Sequence, residues 1–230
     1  MRVQNVSALF QKQLKDVFKN LPVLVLFIVY PIIALVMTQA MKEQEGMGTF
    51  FISIFATMHC VFTPIVATSS IIAEEKETNT LRALIMSNVN LREYLFSIGG
   101  FVLLSTLLSG SFFLFMGEHT VEAIVRFIIG LSIGCIISII FGVCIGLFSK
   151  NASAANGLAV PFGMIFAFLP MLSNFNEGIE AVAKFTYGQQ VSYLFGGETL
   201  KIFSVIILFV NFLLLLLVSA IWFKRSITEA

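Results

Sequence analysis

Six long apolar stretches constrain this sequence more than any other feature. A transmembrane helix needs about 20 apolar residues to cross roughly 30 Å of hydrocarbon. Hydrophobic residues make up 58% of the 230 residues and charged residues only 12%, which is more apolar surface than a water-soluble fold can bury. We therefore predict an integral membrane protein that crosses the bilayer six times. The predicted spans are residues 21–41, 50–73, 94–116, 123–148, 154–172 and 202–223.

The same stretches predict an all-α fold. Spans of a β-barrel show segments of about ten residues with alternating polarity, whereas these stretches are longer and apolar on every face. The five prolines lie in or beside the stretches, where neighbouring groups can satisfy the carbonyls that a proline frees. Without an internal repeat or a linker, we predict one transmembrane domain over residues 1–230.

The distribution of Lys and Arg predicts the orientation. With the N-terminus inside, ten of the fourteen basic residues lie on the cytoplasmic side, as the positive-inside rule requires. We therefore expect both termini in the cytoplasm. The cytoplasmic set is Arg2, Lys12, Lys15, Lys19, Lys76, Arg82, Arg92, Lys150, Lys224 and Arg225, and the outer set is Lys42, Arg126, Lys184 and Lys201.

Charge and cysteine usage argue against several classes of function. The net charge is +1, and no basic block suggests a nucleic-acid partner. The three cysteines lie inside apolar stretches, without metal-type or disulfide-type spacing. His59 and Cys60 are not a catalytic pair, because adjacent residues point about 100° apart on a helix. We expect no catalytic residues and no metal site.

Residues 1–20 predict an amphipathic helix at the membrane surface. Phe10, Leu14 and Val17 share one face, and Lys12 and Lys15 lie on the other. The alternative is a simple basic anchor that fixes topology.

The connection at residues 74–92 predicts a short helix that docks on another protein. Thr78 or Thr80 would cap it, and Leu81, Leu84 and Ile85 would form its apolar face. The alternative is a solvated loop whose charges mark the membrane edge.

Three segments resemble the ABC-2-type permeases, which are membrane subunits of ABC transporters. The run Glu75-Lys76-Glu77, followed by Thr80, Leu81 and Leu84, resembles their coupling helix. Residues 1–20 resemble their elbow helix, and residues 185–191 are similar to a motif in their final extracellular region. Within this family the chain resembles the small type without a large extracellular domain, to which permeases that export peptide toxins such as phenol-soluble modulins belong.

The resemblance implies an exporter-like fold and a division of labour. The sequence has no G-x-x-x-x-G-K-[ST] loop for binding ATP, so ATP and Mg would bind a separate ATPase subunit. This chain would be no enzyme and would carry no cofactor. The resemblance also implies a bacterial cell membrane and a second permease chain, in a homodimer or a heterodimer. The implied ATPase-coupling residues are Glu75, Lys76, Glu77, Thr80, Leu81, Arg82 and Leu84.

The chain is rich in Phe (25) and Met (nine), which suits a path for amphipathic cargo moved by alternating access. Peptide toxins or antimicrobial peptides are the first candidates, and lipids or drugs are alternatives. An ion-coupled secondary transporter is the alternative of another class. Ordinary packing is the alternative for the aromatic residues, and a hydrogen bond to a neighbouring helix is the alternative for His59. The candidate path comprises Phe51, Phe55, Met58, His59, Phe62, Phe162 and Phe166.

Two further features leave alternatives open. In the fourth stretch, Gly130, Gly134, Gly142 and Gly146 form two pairs at four-residue spacing, which allows close helix approach. The approach could occur within one chain or in a dimer. Residues 173–200 predict short interfacial or re-entrant helices on the outer side.

Overall fold

The computed structural model describes residues 3–18, 20–44, 46–117, 120–199 and 201–228, with the backbone alone for residue 3 and for residues 222–228. Arg2 and Lys19, two of the residues assigned to the cytoplasmic side, lie outside these ranges. The side chains of Lys224 and Arg225 also lie outside the described part.

The described chain is all α-helical, as predicted, apart from a 3-10 turn at Ser111–Phe115. The helices are α1 (Val3–Val17), α2 (Leu21–Ala40), α3 (Met47–Glu77), α4 (Thr80–Met86), α5 (Leu91–Gly110), α6 (Val121–Phe148), α7 (Ala152–Ser173), α8 (Glu177–Ala183), α9 (Tyr187–Phe195) and α10 (Ile202–Thr228). Six of them, namely α2, α3, α5, α6, α7 and α10, are long and apolar enough to cross a membrane.

Polar residues extend two of the spanning helices beyond their apolar stretches. Helix α3 continues through its charged residues to Glu77, because Glu and Lys favour helix as much as apolar residues do. Helix α5 begins at Leu91, where the Asn90 N–H donates to the Glu93 carboxylate at 3.3 Å. The predicted docking segment 74–92 is therefore divided among the end of α3, the short α4 and the start of α5.

Helix α3 lies at the centre of the bundle. In its most apolar window 78% of the residues are buried, against 22% in α2 and 11% in α10. Every residue from Ala56 to Ala73 is buried, so this stretch is covered by protein on all sides. Helix α3 is thus in contact with most of the other helices of the bundle.

The glycines of α6 allow it to pack directly on α3. A Cβ atom at Gly142 would lie 2.7 Å from the Thr68 Cβ and 2.8 Å from the Ile65 carbonyl oxygen. A Cβ at Gly146 would lie 2.8 Å from the Ile72 Cβ. The close approach therefore occurs within one chain, which decides between the two alternatives for this glycine pair.

The segment after α7 folds back into the bundle through α8 and α9. Tyr187 is fully buried, and its hydroxyl lies 2.9 Å from the Ser138 Oγ in α6. Gly188 lets α9 approach α7, since a Cβ there would lie 2.7 Å from the Phe166 carbonyl oxygen. The short helices expected in residues 173–200 are these two, and α9 is packed among spanning helices.

Candidate functional site at the charged end of α3

Helix α3 ends in four consecutive charged residues, Glu74, Glu75, Lys76 and Glu77, which we call the charged end of α3. Each of the four side chains contacts a different segment. Only two residues separate Glu77 from the start of the short helix α4 at Thr80. The charged end is therefore the point at which α4 is connected to the rest of the bundle.

Glu75 binds helix α1. Its side chain is buried. One carboxylate oxygen accepts a hydrogen bond from the Gln13 amide at 2.8 Å and also forms an ion pair with the Lys12 ammonium. Burial by itself lowers the pKa of Lys12, but the hydrogen bonds and charges of Glu75 and Asp16 outweigh it, so the pKa is raised above 10.5. Lys12 is thus charged at neutral pH and tied to α3.

Glu74 binds the junction between α1 and α2. Its carboxylate accepts a hydrogen bond from the Asn20 side-chain amide at 2.8 Å. Asn20 is also the N-cap residue of α2, since its side-chain oxygen accepts from the Val23 N–H at 3.4 Å. Glu75 therefore holds the body of α1, and Glu74 holds the start of the first span.

Lys76 binds the C-terminus of α6. Its ammonium donates to the carbonyl oxygens of Leu147 at 2.7 Å and Ser149 at 2.6 Å. The last carbonyls of a helix lack partners within the helix and carry partial negative charge. A lysine at this position satisfies both the hydrogen bonding and the charge of the helix end.

Glu77 binds the N-terminus of α7. Its carboxylate accepts from the Ala152 N–H at 3.0 Å, beside the Asn151 cap that accepts from the Ala154 N–H at 2.8 Å. A negative charge is favourable at a helix N-terminus. Two adjacent residues of opposite charge, Lys76 and Glu77, therefore match the opposite poles of α6 and α7.

Helix α4 is held in place by one buried residue and bracketed by two asparagines. Leu81 is buried in the cluster that contains Leu9 and Tyr94. Asn79 and Asn88 have φ values of 58° and 69°, a left-handed conformation that Asn tolerates better than most residues. Both ends of α4 therefore turn sharply, and the helix projects as a fixed unit.

The outward face of α4 includes only one of the three apolar residues that the sequence indicated, namely Ile85. Met86 is 81% exposed and Ile85 is 41% exposed, and Arg82 is exposed beside them. Leu84 is half-buried. Thr80 contacts Thr78 through their hydroxyl oxygens at 2.9 Å. Of the predicted coupling residues, Glu75 and Leu81 thus face inward, and Arg82 faces solvent.

Helix α1 packs on α5 through a face that is rotated from the predicted one. Leu9, Gln13 and Val17 are its buried residues, at i, i+4 and i+8. The rings of Phe10 and Phe101 pack edge to face with their centroids 6.1 Å apart, but Leu14 is 40% exposed. The polar Gln13 is buried because Glu75 accepts its amide hydrogen, and a pattern of apolar residues alone cannot indicate such a position.

The structure divides the residues of the candidate path into two groups. Phe51, Phe55 and Phe166 are partly buried, and Phe162 is 45% exposed. Phe51 and Phe55 stack with ring centroids 6.2 Å apart. Met58, His59 and Phe62 are buried in the core. In this conformation only the four phenylalanines that are not fully buried offer surface to a cargo, and Met58, His59 and Phe62 do not.

His59 is hydrogen bonded to a neighbouring helix, which is the alternative that the sequence left open to a role of His59 in the cargo path. Its Nε2 atom lies 3.2 Å from the Thr106 carbonyl oxygen and 3.0 Å from the Ser109 Oγ. A carbonyl oxygen can only accept, so Nε2 carries the hydrogen. Among the described residues, no group of three or more His, Cys, Asp or Glu side chains could hold a metal ion.

Sequence reasoning missed the partners of the charged end of α3. Gln13, Asn20 and the backbone of α6 and α7 take up its charges. The available signal was the order Glu-Glu-Lys-Glu beyond an apolar stretch, which indicates charge but not which helix ends lie nearby.

A comparison with protein-family models identifies the family of the chain. The model described as "ABC-2 family transporter protein" matches residues 5–223, which include every element described above except the ends of α1 and α10. No curated protein matches the chain. The match covers nearly the whole sequence, and the six spanning helices and the absence of strands in the described residues agree with it. The chain belongs to the ABC-2 family of transporter membrane proteins.

Proposed function

We propose that this permease works with a separate ABC ATPase that docks on the outward face of α4. Membership of the ABC-2 family implies an ATPase partner. The observation that supports the docking site is the exposure of Met86 and Ile85 on a helix anchored by the buried Leu81. Exposed apolar residues on a fixed helix, next to a charged Arg82, suit a groove on another protein.

The charged end of α3 would carry movement from α4 into the bundle. A displacement of α4 pulls on the end of α3, and Glu75 and Lys76 are bonded to α1 and to the end of α6. Glu77 extends the connection to α7. These charge-assisted contacts resist stretching more than neutral contacts do. The permease would then open alternately to the two sides of the membrane.

A second permease chain completes the transporter in this proposal. The most apolar windows of α2, α7 and α10 are only 22%, 28% and 11% buried, so large parts of these helices are available to lipid or to another chain. Gly157 in α7 has no atom within 4 Å of where its Cβ would lie, so its small size serves no contact within the chain. Two-fold pairing is the commonest closed assembly.

We further propose export of an amphipathic peptide, with lipids or drugs as alternative cargo. The exposed Phe162 and the partly exposed Phe51 and Phe55 support this cargo class, because aromatic side chains hold apolar surface without strict shape matching. An ion-coupled secondary transporter would instead work without ATPase. Family membership favours the ATP-driven mechanism.

Substitution on the outward face of α4 tests the docking site. Met86→Asp should abolish co-purification of the ATPase subunit, identified by its ATP-binding peptides, and should abolish ATP-dependent transport. Phe175→Asp is the matched control, since Phe175 is 71% exposed and follows α7 at the opposite end of the bundle. Retention of the ATPase by Met86→Asp, with the fold intact by gel filtration, would show that α4 is not the docking site.

Cysteine labelling tests the proposed cytoplasmic position of α4. A Ser87→Cys variant places a thiol on an exposed residue, whereas the native Cys60, Cys135 and Cys144 are buried. A membrane-impermeant maleimide should label this variant only after the cells are opened. Labelling of intact cells would place α4 outside and refute the docking proposal.

A further inference from the structure

A groove of about 590 Å³ lies between α2 and the outer end of α5. One wall is formed by α2 from Phe27 to Gln39 and by Lys42 just beyond it. The other wall is formed by the end of α5 and the 3-10 turn, including Phe112 and Phe115. This groove lies at the end of the bundle away from α4, because α2 and α5 both begin at the α4 end.

The packing of α5 explains why the groove opens. A Cβ atom at Gly110 would lie 2.6 Å from the Leu131 Cδ2, so the end of α5 is packed tightly against α6. The chain then tightens into a 3-10 turn at Ser111–Phe115, which is narrower than an α-helix. Because the end of α5 packs against α6, it does not cover the adjacent surface of α2. Phe112 therefore remains 59% exposed.

Along the α2 wall, the lining of the groove changes from apolar to polar. Ile28, Ile32 and Leu35 line its deep part, and Thr38, Gln39 and Lys42 line its outer end. The rise of α2 from Phe27 to Gln39 is about 18 Å. One leaflet of hydrocarbon is about 15 Å thick, which is half of the whole core. The α2 wall thus has the length and the polarity gradient of a single phospholipid.

The charge at the outer end indicates which phospholipid fits. Among the described residues, no carboxylate forms an ion pair with Lys42. Glu43 is its exposed neighbour but does not line the groove. We infer that the groove between α2 and α5 binds one phospholipid with an anionic headgroup, with its acyl chain along α2 and its phosphate at Lys42.

Quenching of tryptophan fluorescence by brominated lipids tests this site. The single native tryptophan, Trp222, is replaced by Phe, and Ile32→Trp places a probe in the groove. Ile206→Trp is the matched control, since Ile206 is 53% exposed on α10. The protein is reconstituted with brominated phosphatidylglycerol or brominated phosphatidylcholine. Phe112→Trp is a second groove probe in case Ile32→Trp does not fold.

The groove probe should prefer phosphatidylglycerol over phosphatidylcholine by about fivefold, the effect expected of one lysine near a headgroup. Lys42→Gln should remove this preference, and Glu43→Gln should not reduce it. The control probe should show no preference in either background. Equal quenching by the two lipids at the groove probe, or a preference that survives Lys42→Gln, would overturn the proposal. Absence of quenching in the groove would show that protein, such as a second copy of this chain, covers it.

Discussion

The ammonium group of Lys12 forms an ion pair with the carboxylate of Glu75, and this pair joins α1 to the end of α3. The side chain of Glu75 is 9% exposed and that of Lys12 is 30% exposed, so solvent screens the pair only partly. Gln13 donates to the same carboxylate oxygen. Helix α1 is therefore fixed to the residues that also carry α4, which a simple basic anchor would not need.

Removal of the Glu75 carboxylate should loosen α1. Glu75→Leu leaves the buried Gln13 amide without its acceptor and leaves Lys12 only its ion pair with Asp16, which costs about 1–3 kcal/mol. The melting temperature in detergent should fall accordingly. Glu198→Leu is the matched control, because the exposed pair of Glu198 and Lys201 should contribute nothing measurable. Equal melting temperatures for the two variants would contradict a structural role of Glu75.

The stabilisation by Lys12 should persist to alkaline pH. Its pKa is raised above 10.5 in the folded protein, so the contribution is complete below 10.5 and is lost as the pH rises through the raised value. The difference in melting temperature between the native protein and Lys12→Met should therefore be the same at pH 7 and pH 9. A difference that shrinks by pH 9 would mean that burial lowers the pKa more than Glu75 raises it.

The contact between α6 and α3 should not accept a side chain at Gly142. A Cβ there would lie 2.8 Å from a backbone oxygen of α3, which cannot move away on its own. Gly142→Val should separate the two helices and prevent the protein from reaching its native fold, as measured by gel filtration and thermal unfolding. Gly100→Ala is the control, because its Cβ would meet no atom within 4 Å. A native-like Gly142→Val variant would refute this packing.

His59 should matter for stability more than for cargo. His59→Leu leaves the Thr106 carbonyl without this donor and should destabilise the protein by about 1–3 kcal/mol. His59→Gln, which can still donate, should cost less. Transport by the folded fraction should keep its cargo preference. An altered cargo preference with an unchanged melting temperature would instead make His59 a substrate contact.

Lys76 should be needed for coupling rather than for docking. Lys76→Met removes the charge at the end of α6 and leaves the exposed face of α4 unchanged. The ATPase subunit should still co-purify, while cargo transported per ATP hydrolysed should fall severalfold. Lys150→Met is the control, since Lys150 is exposed in the same connection. Full coupling in Lys76→Met would exclude the proposed route through α6.

The position of the candidate site could be predicted from the sequence, but its orientation could not. The run of charges after the second apolar stretch indicated residues 75–84, and α4, at Thr80–Met86, begins within that segment and ends two residues beyond it. The pattern did not show that Glu75 and Leu81 face inward while Met86 faces out. A buried carboxylate is stable only beside specific donors, and those donors, Lys12 and Gln13, are more than 60 residues away in the chain.

The number of spans, the all-α fold and the family resemblance follow from the sequence alone, because the length and apolarity of each stretch are local properties. The central position of α3 and the packing of Gly142 and Gly146 within the chain emerge only from the folded structure. Lipid is as apolar as a protein core, so an apolar pattern does not distinguish a residue that faces lipid from one that faces a neighbouring helix. The charged end of α3 likewise acquired its partners only when folding brought the ends of α1, α6 and α7 beside it.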